Sequence, residues 1–207
     1  MIPLDQPGLT TKRLCLRMPN GLDAPALLAL YGDAQVMRHW SHAPWTTLGQ
    51  AHDAIVQAQV ERASGRALHL AIALRQGGAL AGSCALFDIE RQHRRATLGY
   101  LFAPAYWGKG LAREALRALI DVGFSGLGLQ RIEAEVEPCN GASRALLERL
   151  GFVCEARMRA RWRVDGEARD VELWALLRRD WHSPRGGVYT GLTEPRRFFT
   201  RFLRRSR

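Results

Sequence analysis

The segment from Tyr100 to Ala115 constrains the fold of this chain more than any other, because it joins a strand, a glycine turn and a helix. It reads YLFAPAYWGKGLAREA. An apolar run of strand type is followed by Pro104, by glycines at positions 108 and 110, and then by apolar residues at helical spacing. The first N–H groups of such a helix and the positive end of its dipole attract anionic groups. We therefore predict an anion-binding turn here, which a ligand can approach closely because glycine carries no Cβ.

Two common phosphate-binding patterns do not fit this turn. A Walker loop places Lys and then Ser or Thr after its second glycine, whereas Lys109 stands between Gly108 and Gly110. A dinucleotide fingerprint requires a third glycine, and Ala112 and Arg113 occupy its place. A plain left-handed turn before a core helix would explain two glycines alone, but the aromatic and acidic residues on either side favour a specific loop.

The hydropathy pattern predicts a mixed α/β chain in the order β-α-α-β-β-β-α-β-α-β-β. Strands are predicted at 11–19, 68–74, 79–88, 95–102, 131–137, 153–163 and 168–177. Helices are predicted at 24–40, 48–63, from 111 to about 126 or 128, and at 140–150. The pair Asp165-Gly166 is typical of a type I′ turn and predicts a hairpin between the last two strands.

A second motif runs from Glu137 to Phe152 and reads EPCNGASRALLERLGF. Asn140 is a suitable N-cap for the helix that follows it. Gly151 is suited to end that helix, with Phe152 as the hydrophobic contact beyond it. The motif therefore predicts a short, well-defined helix directly after the strand at 131–137.

The two motifs together resemble those of the GNAT superfamily of N-acetyltransferases, in particular its ribosomal-protein-alanine N-acetyltransferase branch. The turn resembles [QR]-x-x-G-x-[GA], although its first position departs from that pattern, and the second motif resembles N-x-x-[SA]-x-x-x-x-E-x-x-G-F. The resemblance extends from about Leu14 to Trp181. It implies the GNAT fold, with a central pair of parallel strands that splay apart.

The resemblance also implies acetyl-CoA as co-substrate and no metal. Main-chain amides of the turn would hold the pyrophosphate, and an amide near the end of the strand at 95–102 would polarise the thioester carbonyl. Asn140 would bind the pantetheine arm. The implied cofactor-binding residues are Leu101, Phe102, Trp107, Gly108, Lys109, Gly110, Leu111, Ala112, Arg113 and Asn140.

For catalysis, the resemblance points to Ser143, which would lie near the thioester sulfur and protonate the leaving thiolate. The alternative is an ordinary first-turn residue. Many relatives carry a tyrosine seven residues after the asparagine, and Leu147 stands there. Many also carry a glutamate in the form E-x-G-Y, and Thr97 stands there. Glu135, one of three glutamates on one face of the strand at 131–137, is the candidate base; a solvated charged face is the alternative.

The expected reaction is direct attack of an amine on the thioester, with the amine of a protein N-terminus as the favoured acceptor. An α-amine with a pKa of about 8 needs roughly 1.4 kcal/mol to be neutral at pH 7, and a lysine roughly 4.6 kcal/mol. A site without an obvious carboxylate base therefore favours the α-amine of a ribosomal or other protein. The alternatives are a small-molecule amine such as an antibiotic or polyamine, a non-catalytic acyl-CoA sensor, and an RNA-associated module. His39, Trp40, His42 and Trp45 are expected either to shape the acceptor pocket or to pack at helix ends.

Composition adds limits on location and partners. The chain has 207 residues and a net charge of +10, and residues 195–207 contain six arginines and no acid. We predict an acetyltransferase domain at 1–182 and a basic tail at 183–207, which is solvated or contacts RNA or an anionic surface. Four scattered cysteines and the lack of a signal sequence predict a cytoplasmic protein. No apolar run approaches the roughly 18 residues of a membrane span, so none is predicted. We expect a monomer or a homodimer.

Overall fold

The computed structural model describes residues 8–182, so the predicted tail at 183–207 lies outside the described residues. The strands are β1 Leu9–Thr10, β2 Leu14–Arg17, β3 Leu68–Leu74, β4 Leu80–Glu90, β5 Arg95–Phe102, β6 Arg131–Val136, β7 Val153–Val164 and β8 Glu167–Leu177. The helices are α1 Ala24–Gly32, α2 Ala34–Met37, α3 Leu48–Ser64, α4 Leu111–Asp121 and α5 Gly141–Leu150. None of these helices has the length and apolar character that crossing a membrane requires.

The strands form one mixed sheet in the order β1-β2-β3-β4-β5-β6-β8-β7. Neighbouring strands are antiparallel except β5 and β6, which are parallel. This parallel pair is in register only from Arg95 opposite Arg131 to Thr97 opposite Glu133. Beyond Thr97, β5 continues to Phe102 with no partner on β6, while β6 remains paired with β8. The predicted fold, including the splayed parallel pair, is confirmed.

The main core lies between the sheet and the helices α4 and α5. Strand β6 shows how the sequence builds it: Ile132, Ala134 and Val136 are buried, and the glutamates between them lie on the opposite face. Leu116 and Leu119 of α4 are fully buried against this sheet. A smaller cluster joins α1 to α3. The acidic face of β6 is therefore left for the side of the sheet away from α4.

Several predicted boundaries were wrong. The helix predicted at 24–40 breaks at Asp33, whose backbone is extended (φ −73°, ψ 114°) and whose carboxylate accepts the N–H groups of Gln35 and Val36. This local cap outweighs the continuing apolar pattern. The helix predicted to reach 126 or 128 is α-helical only to Asp121, and a π-helical turn, Val122–Gly126, follows it. The strand predicted at 11–19 is paired as β2 only over 14–17.

A buried ion pair fixes the chain between β2 and α1. Arg17 is 2% exposed and Asp23 is 3% exposed, and two hydrogen bonds of 2.7 Å join the guanidinium to the carboxylate. Arg17 also donates to the carbonyl of Met18, and the N–H of Asn20 donates to Asp23. The hydrogen bond to Asp23 raises the pKa of Arg17 above its ordinary value, so the buried guanidinium keeps its charge.

Candidate active site

The splay between β5 and β6 opens a cleft of about 1410 Å³. Its walls are the two strands, the glycine turn, the starts of α4 and α5, and the loop after α2. This volume exceeds that of a typical small-molecule pocket, roughly 300–1,000 Å³, and suits a long ligand together with a second one. The predicted site residues that line it are Leu101, Phe102, Trp107, Gly108, Gly110, Leu111, Ala112, Arg113, Glu135, Asn140 and Ser143.

The predicted anion-binding turn is exposed and opens on the cleft. Gly108 and Gly110 have φ values of +70° and +72°, which glycine adopts without strain. A Cβ added at Gly108 would meet no atom of residues 8–182 within 4 Å. The first N–H groups of α4, from Leu111 onward, have no acceptor within their own helix. Lys109 does not line the cleft, and its ammonium group lies 5.9 Å from the centroid of the Tyr106 ring.

An ion pair from the N-terminal part of the chain supports this turn. The Glu114 carboxylate accepts from the Thr11 hydroxyl at 2.6 Å, from the Arg13 N–H at 2.7 Å and from Arg13 Nε at 2.6 Å. Burial alone would raise the pKa of Glu114, but these bonds and the Arg13 charge lower it overall. Arg13 Nη1 also donates to the Lys109 carbonyl at 2.9 Å. The contact of Arg13 with the turn was not predicted, because 96 positions separate Arg13 from Lys109.

The unpaired end of β5 forms one wall of the cleft. Leu101 and Phe102 line the cleft, yet each is only 6% exposed, because both pack into apolar clusters. The carbonyl of Phe102 is already occupied, since Trp107 Nε1 donates to it at 2.6 Å. This contact folds the glycine turn back onto the strand and was not predicted.

A pair of hydroxyl groups lies at the start of α5. Asn140 Oδ1 accepts the Ser143 N–H at 3.1 Å, which confirms Asn140 as the N-cap. Ser143 Oγ lies 2.6 Å from the hydroxyl of Tyr100. Burial raises the pKa of Tyr100 to about 12, so its phenol stays protonated at neutral pH. Leu147, at the position where many relatives carry a tyrosine, is fully buried in the core.

The glutamates on the acidic face of β6 are all engaged by cations. Glu135 lines the cleft, and its carboxylate accepts from Arg161 Nη2 at 2.9 Å and from Trp162 Nε1 at 2.9 Å. Glu133 and Glu137 are ion-paired as well. Nothing in this geometry tests Glu135 as a base, so its catalytic role stays a prediction.

Two of the four aromatic residues expected near the acceptor line the cleft, and two do not. His39 and Trp40 belong to its wall. His42 accepts from Trp40 Nε1 at 2.9 Å and lies outside the wall. Trp45 stacks on Tyr31, with ring centroids 4.2 Å apart, and joins the cluster between α1 and α3. The alternative of packing at helix ends therefore applies to Trp45.

Comparison with known proteins identifies similar chains. A family model described as an acetyltransferase (GNAT) domain matches residues 13–153. The N-acetyltransferase p20 of Bacillus licheniformis is 36% identical over 173 residues, which cover 84% of this chain and 97% of that protein. The spermidine N(1)-acetyltransferase of Escherichia coli is 29% identical over 145 residues, or 69% of this chain and 74% of that one. A Vibrio cholerae structure provisionally named a ribosomal-protein-serine acetyltransferase has a TM-score of 0.73 at 28% identity, covering 83% of this chain and 99% of that one.

Proposed function

Because this chain belongs to the GNAT family of acetyltransferases, we propose that it transfers the acetyl group of acetyl-CoA to the N-terminal α-amine of a protein. That it is an acetyl-CoA-dependent N-acetyltransferase follows from the family. The identity of the acceptor and the roles of individual residues are the proposal. The amine would attack the thioester directly while both substrates are bound.

The exposed turn supports a place for the coenzyme. The pyrophosphate would lie against the main chain from Gly108 to Arg113, where unpaired N–H groups and the helix dipole favour an anion. Arg13, held at the turn by Glu114, would add positive charge. The pantetheine arm would pair with the open edge of β5 and with the side-chain amide of Asn140. A main-chain N–H near Leu101 or Phe102 would stabilise the oxyanion.

The hydroxyl pair supports a route for the proton that the leaving thiolate needs. Ser143 would donate its proton to the thiolate sulfur. Tyr100, whose phenol stays protonated and lies 2.6 Å away, would return a proton to Ser143. A general acid of this kind typically contributes about 10²–10⁴-fold to a rate. Tyr100 would thus take the place of the tyrosine that many relatives carry at the position of Leu147.

The charge of the cleft is the observation that carries the proposed acceptor. Of the four carboxylates that line the cleft within residues 8–182, three are already ion-paired with arginine, and the fourth, Asp88, is exposed. A polyamine needs unpaired carboxylates for its additional ammonium groups, whereas a peptide N-terminus brings one. The cleft contains more arginines than carboxylates: arginines 38, 66, 95, 113, 149 and 161 against Asp88, Glu90, Glu133 and Glu135.

The names of the relatives support both a protein acceptor and a polyamine. The provisional name of the Vibrio cholerae structure favours a protein acceptor. The similarity to the spermidine N(1)-acetyltransferase of Escherichia coli keeps a polyamine as the second candidate.

Release of free thiol from acetyl-CoA in the presence of matched acceptors tests the proposal. The panel contains a peptide with a free N-terminus and no lysine, the same peptide with a blocked N-terminus and one lysine, and spermidine. We expect turnover with the first and little with the other two. Turnover with spermidine or with the lysine peptide, and none with free N-termini, would overturn the proposed acceptor.

A further inference from the structure

Acetyl transfer needs a group that takes a proton from the acceptor ammonium, because only the neutral amine attacks the thioester. We propose that His39 is this general base and that Glu137 positions its ring. The inference rests on the acetyl transfer proposed above and adds a residue that the motifs did not indicate.

His39 and Glu137 meet where the loop after α2 crosses the end of β6. His39 lines the cleft, and Glu137 directly follows the last residue of β6. His39 Nδ1 lies 2.6 Å from Glu137 Oε2, and the Glu137 side chain is 7% exposed. Arg169 donates from Nη1 to Glu137 Oε1 at 3.0 Å and also to the carbonyl of Arg38 at 3.2 Å. The carboxylate is therefore held from both sides and cannot turn away from the imidazole.

The contact of His39 with Glu137 determines which ring nitrogen of His39 can accept a proton from a substrate. An ionised carboxylate can only accept, so the proton of the neutral imidazole resides on Nδ1 and is donated to Glu137. The lone pair then lies on Nε2. Within residues 8–182, Nε2 has no hydrogen-bond partner. The arrangement is that of a base held by a carboxylate in one tautomer, with its accepting nitrogen left for a substrate.

The proposed base and the proposed proton donor border one cleft, since His39, Tyr100 and Ser143 all line it. The ring of Trp40, the residue after His39, lies 3.5 Å from where a Cβ on Gly99 would be, so the loop after α2 covers β5 at Gly99. Tyr100 follows Gly99 on β5, and its hydroxyl contacts Ser143.

Two other side chains compete for this role, and their contacts argue against them. Both oxygens of the Glu135 carboxylate already accept hydrogen bonds from Arg161 and Trp162, so an incoming ammonium group would have to compete with these donors. Cys139 Sγ lies 3.7 Å from His39, but from Nδ1, the nitrogen that serves Glu137. His39 is therefore not placed to activate the thiol for a covalent acyl intermediate.

The proton balance of the step is complete without another reactant. Nε2 of His39 takes one proton from the ammonium, directly or through one water. The amine nitrogen then forms a bond to the thioester carbon, and the C–S bond breaks. The thiolate takes one proton from Ser143, and the nitrogen loses its second proton as the amide forms, which restores the hydroxyl pair. His39 releases its proton to solvent.

The basicity of an ordinary imidazole suits one kind of acceptor better than another. The pKa of a free imidazole lies about 1.5 units below that of an α-amine and about 4 units below that of a lysine, so this kind of base suits an α-amine.

The test compares His39→Gln with His69→Gln. His69 of β3 forms a similar pair with Glu61 of α3, in which His69 Nε2 lies 2.8 Å from Glu61 Oε2. Neither residue lines the cleft, so His69 is a matched control. With whichever amine the wild-type protein accepts, we expect His39→Gln to lower kcat about 100-fold and to leave CoA affinity within twofold. His69→Gln should behave as wild type. Glu137→Gln should lower kcat less, and added imidazole should restore part of the activity of His39→Ala.

The outcomes separate this inference from the proposed function. Wild-type turnover on peptide N-termini with an unchanged kcat in His39→Gln would overturn the role of His39 alone. Loss of activity in Cys139→Ala with retention in His39→Gln would overturn it in favour of the thiol. If imidazole fails to restore activity to a folded His39→Ala that still binds CoA, His39 acts on structure rather than as a base. A wild-type protein inactive on every peptide N-terminus counts against the proposed acceptor instead.

Discussion

Replacing Gly108 by alanine tests whether the pyrophosphate rests on bare main chain. Gly108 has a φ of +70°, and an added Cβ would meet no atom within 4 Å in the part of the chain that the structure describes. The left-handed backbone alone costs a residue with a Cβ roughly 1–2 kcal/mol. In the protein without coenzyme, the expected effect of Gly108→Ala is therefore a fall of about 1–2 kcal/mol in the free energy of unfolding.

Gly77 provides the control for that cost. It lies between β3 and β4 and has a φ of +77°, and its added Cβ would also meet no atom of the described residues within 4 Å. Gly77→Ala should therefore lose about the same stability as Gly108→Ala, measured by urea unfolding. A difference of more than about 1 kcal/mol between the two would show that the backbone argument does not hold.

Only Gly108→Ala should weaken coenzyme binding, because its methyl group would project into the space of the pyrophosphate. A hydrogen bond to a charged group contributes about 1.5–3 kcal/mol. Loss of one such bond corresponds to roughly a 10- to 150-fold increase in Kd, at 1.4 kcal/mol for each factor of ten. Titration calorimetry with CoA measures it. Equal Kd values for Gly108→Ala and Gly77→Ala would refute the proposed position of the coenzyme.

Three further predictions concern other contacts. Ser143→Ala should lower kcat about 100-fold and Tyr100→Phe about 10-fold, with CoA affinity unchanged in titration; an unchanged kcat in both excludes the hydroxyl pair from the reaction. Asp23→Ala leaves the buried charge of Arg17 without its partner and should lower the free energy of unfolding in urea by about 3–5 kcal/mol; a loss below about 1 kcal/mol contradicts this. Because the pKa of Glu114 is lowered in the folded protein, its contribution to stability is present above the ordinary value of 4.5 and disappears as pH falls through the folded value. The stability difference between wild type and Glu114→Gln should therefore shrink below about pH 4.5, and a difference that stays constant with pH is the contrary result.

The sequence predicted best those elements whose pattern is local and uninterrupted. The bounds of β3 and β5 agree with the predicted strands at 68–74 and 95–102. The first is a mostly apolar run, and buried residues alternate with less buried ones in the first half of the second. Asp165 and Gly166 have φ values of +50° and +82°, as the predicted type I′ turn requires. The glycine turn and the cap at Asn140 belong to the same class, since each depends on residues close in the chain.

What the sequence did not predict depends on contacts between distant residues. Arg13 reaches the glycine turn, and Tyr100 reaches Ser143, only because the sheet brings these segments together. The pair of His39 and Glu137 spans 98 positions and joins a loop to a strand end, so no spacing rule indicates it. The motifs indicated where the cleft lies, but the contacts between its side chains could be identified only in the folded chain.

The short pairing between β5 and β6 affects how easily the folded protein opens to proteases. Three residue pairs join the two halves of the sheet directly, so a coenzyme seated along the open edge would supply the main-chain bonds that the strands lack. A ligand present at 100 times its Kd stabilises a folded protein by about 2.7 kcal/mol. Proteases act on transiently opened chains, so we expect the purified protein to be cleaved more slowly with coenzyme present than without it.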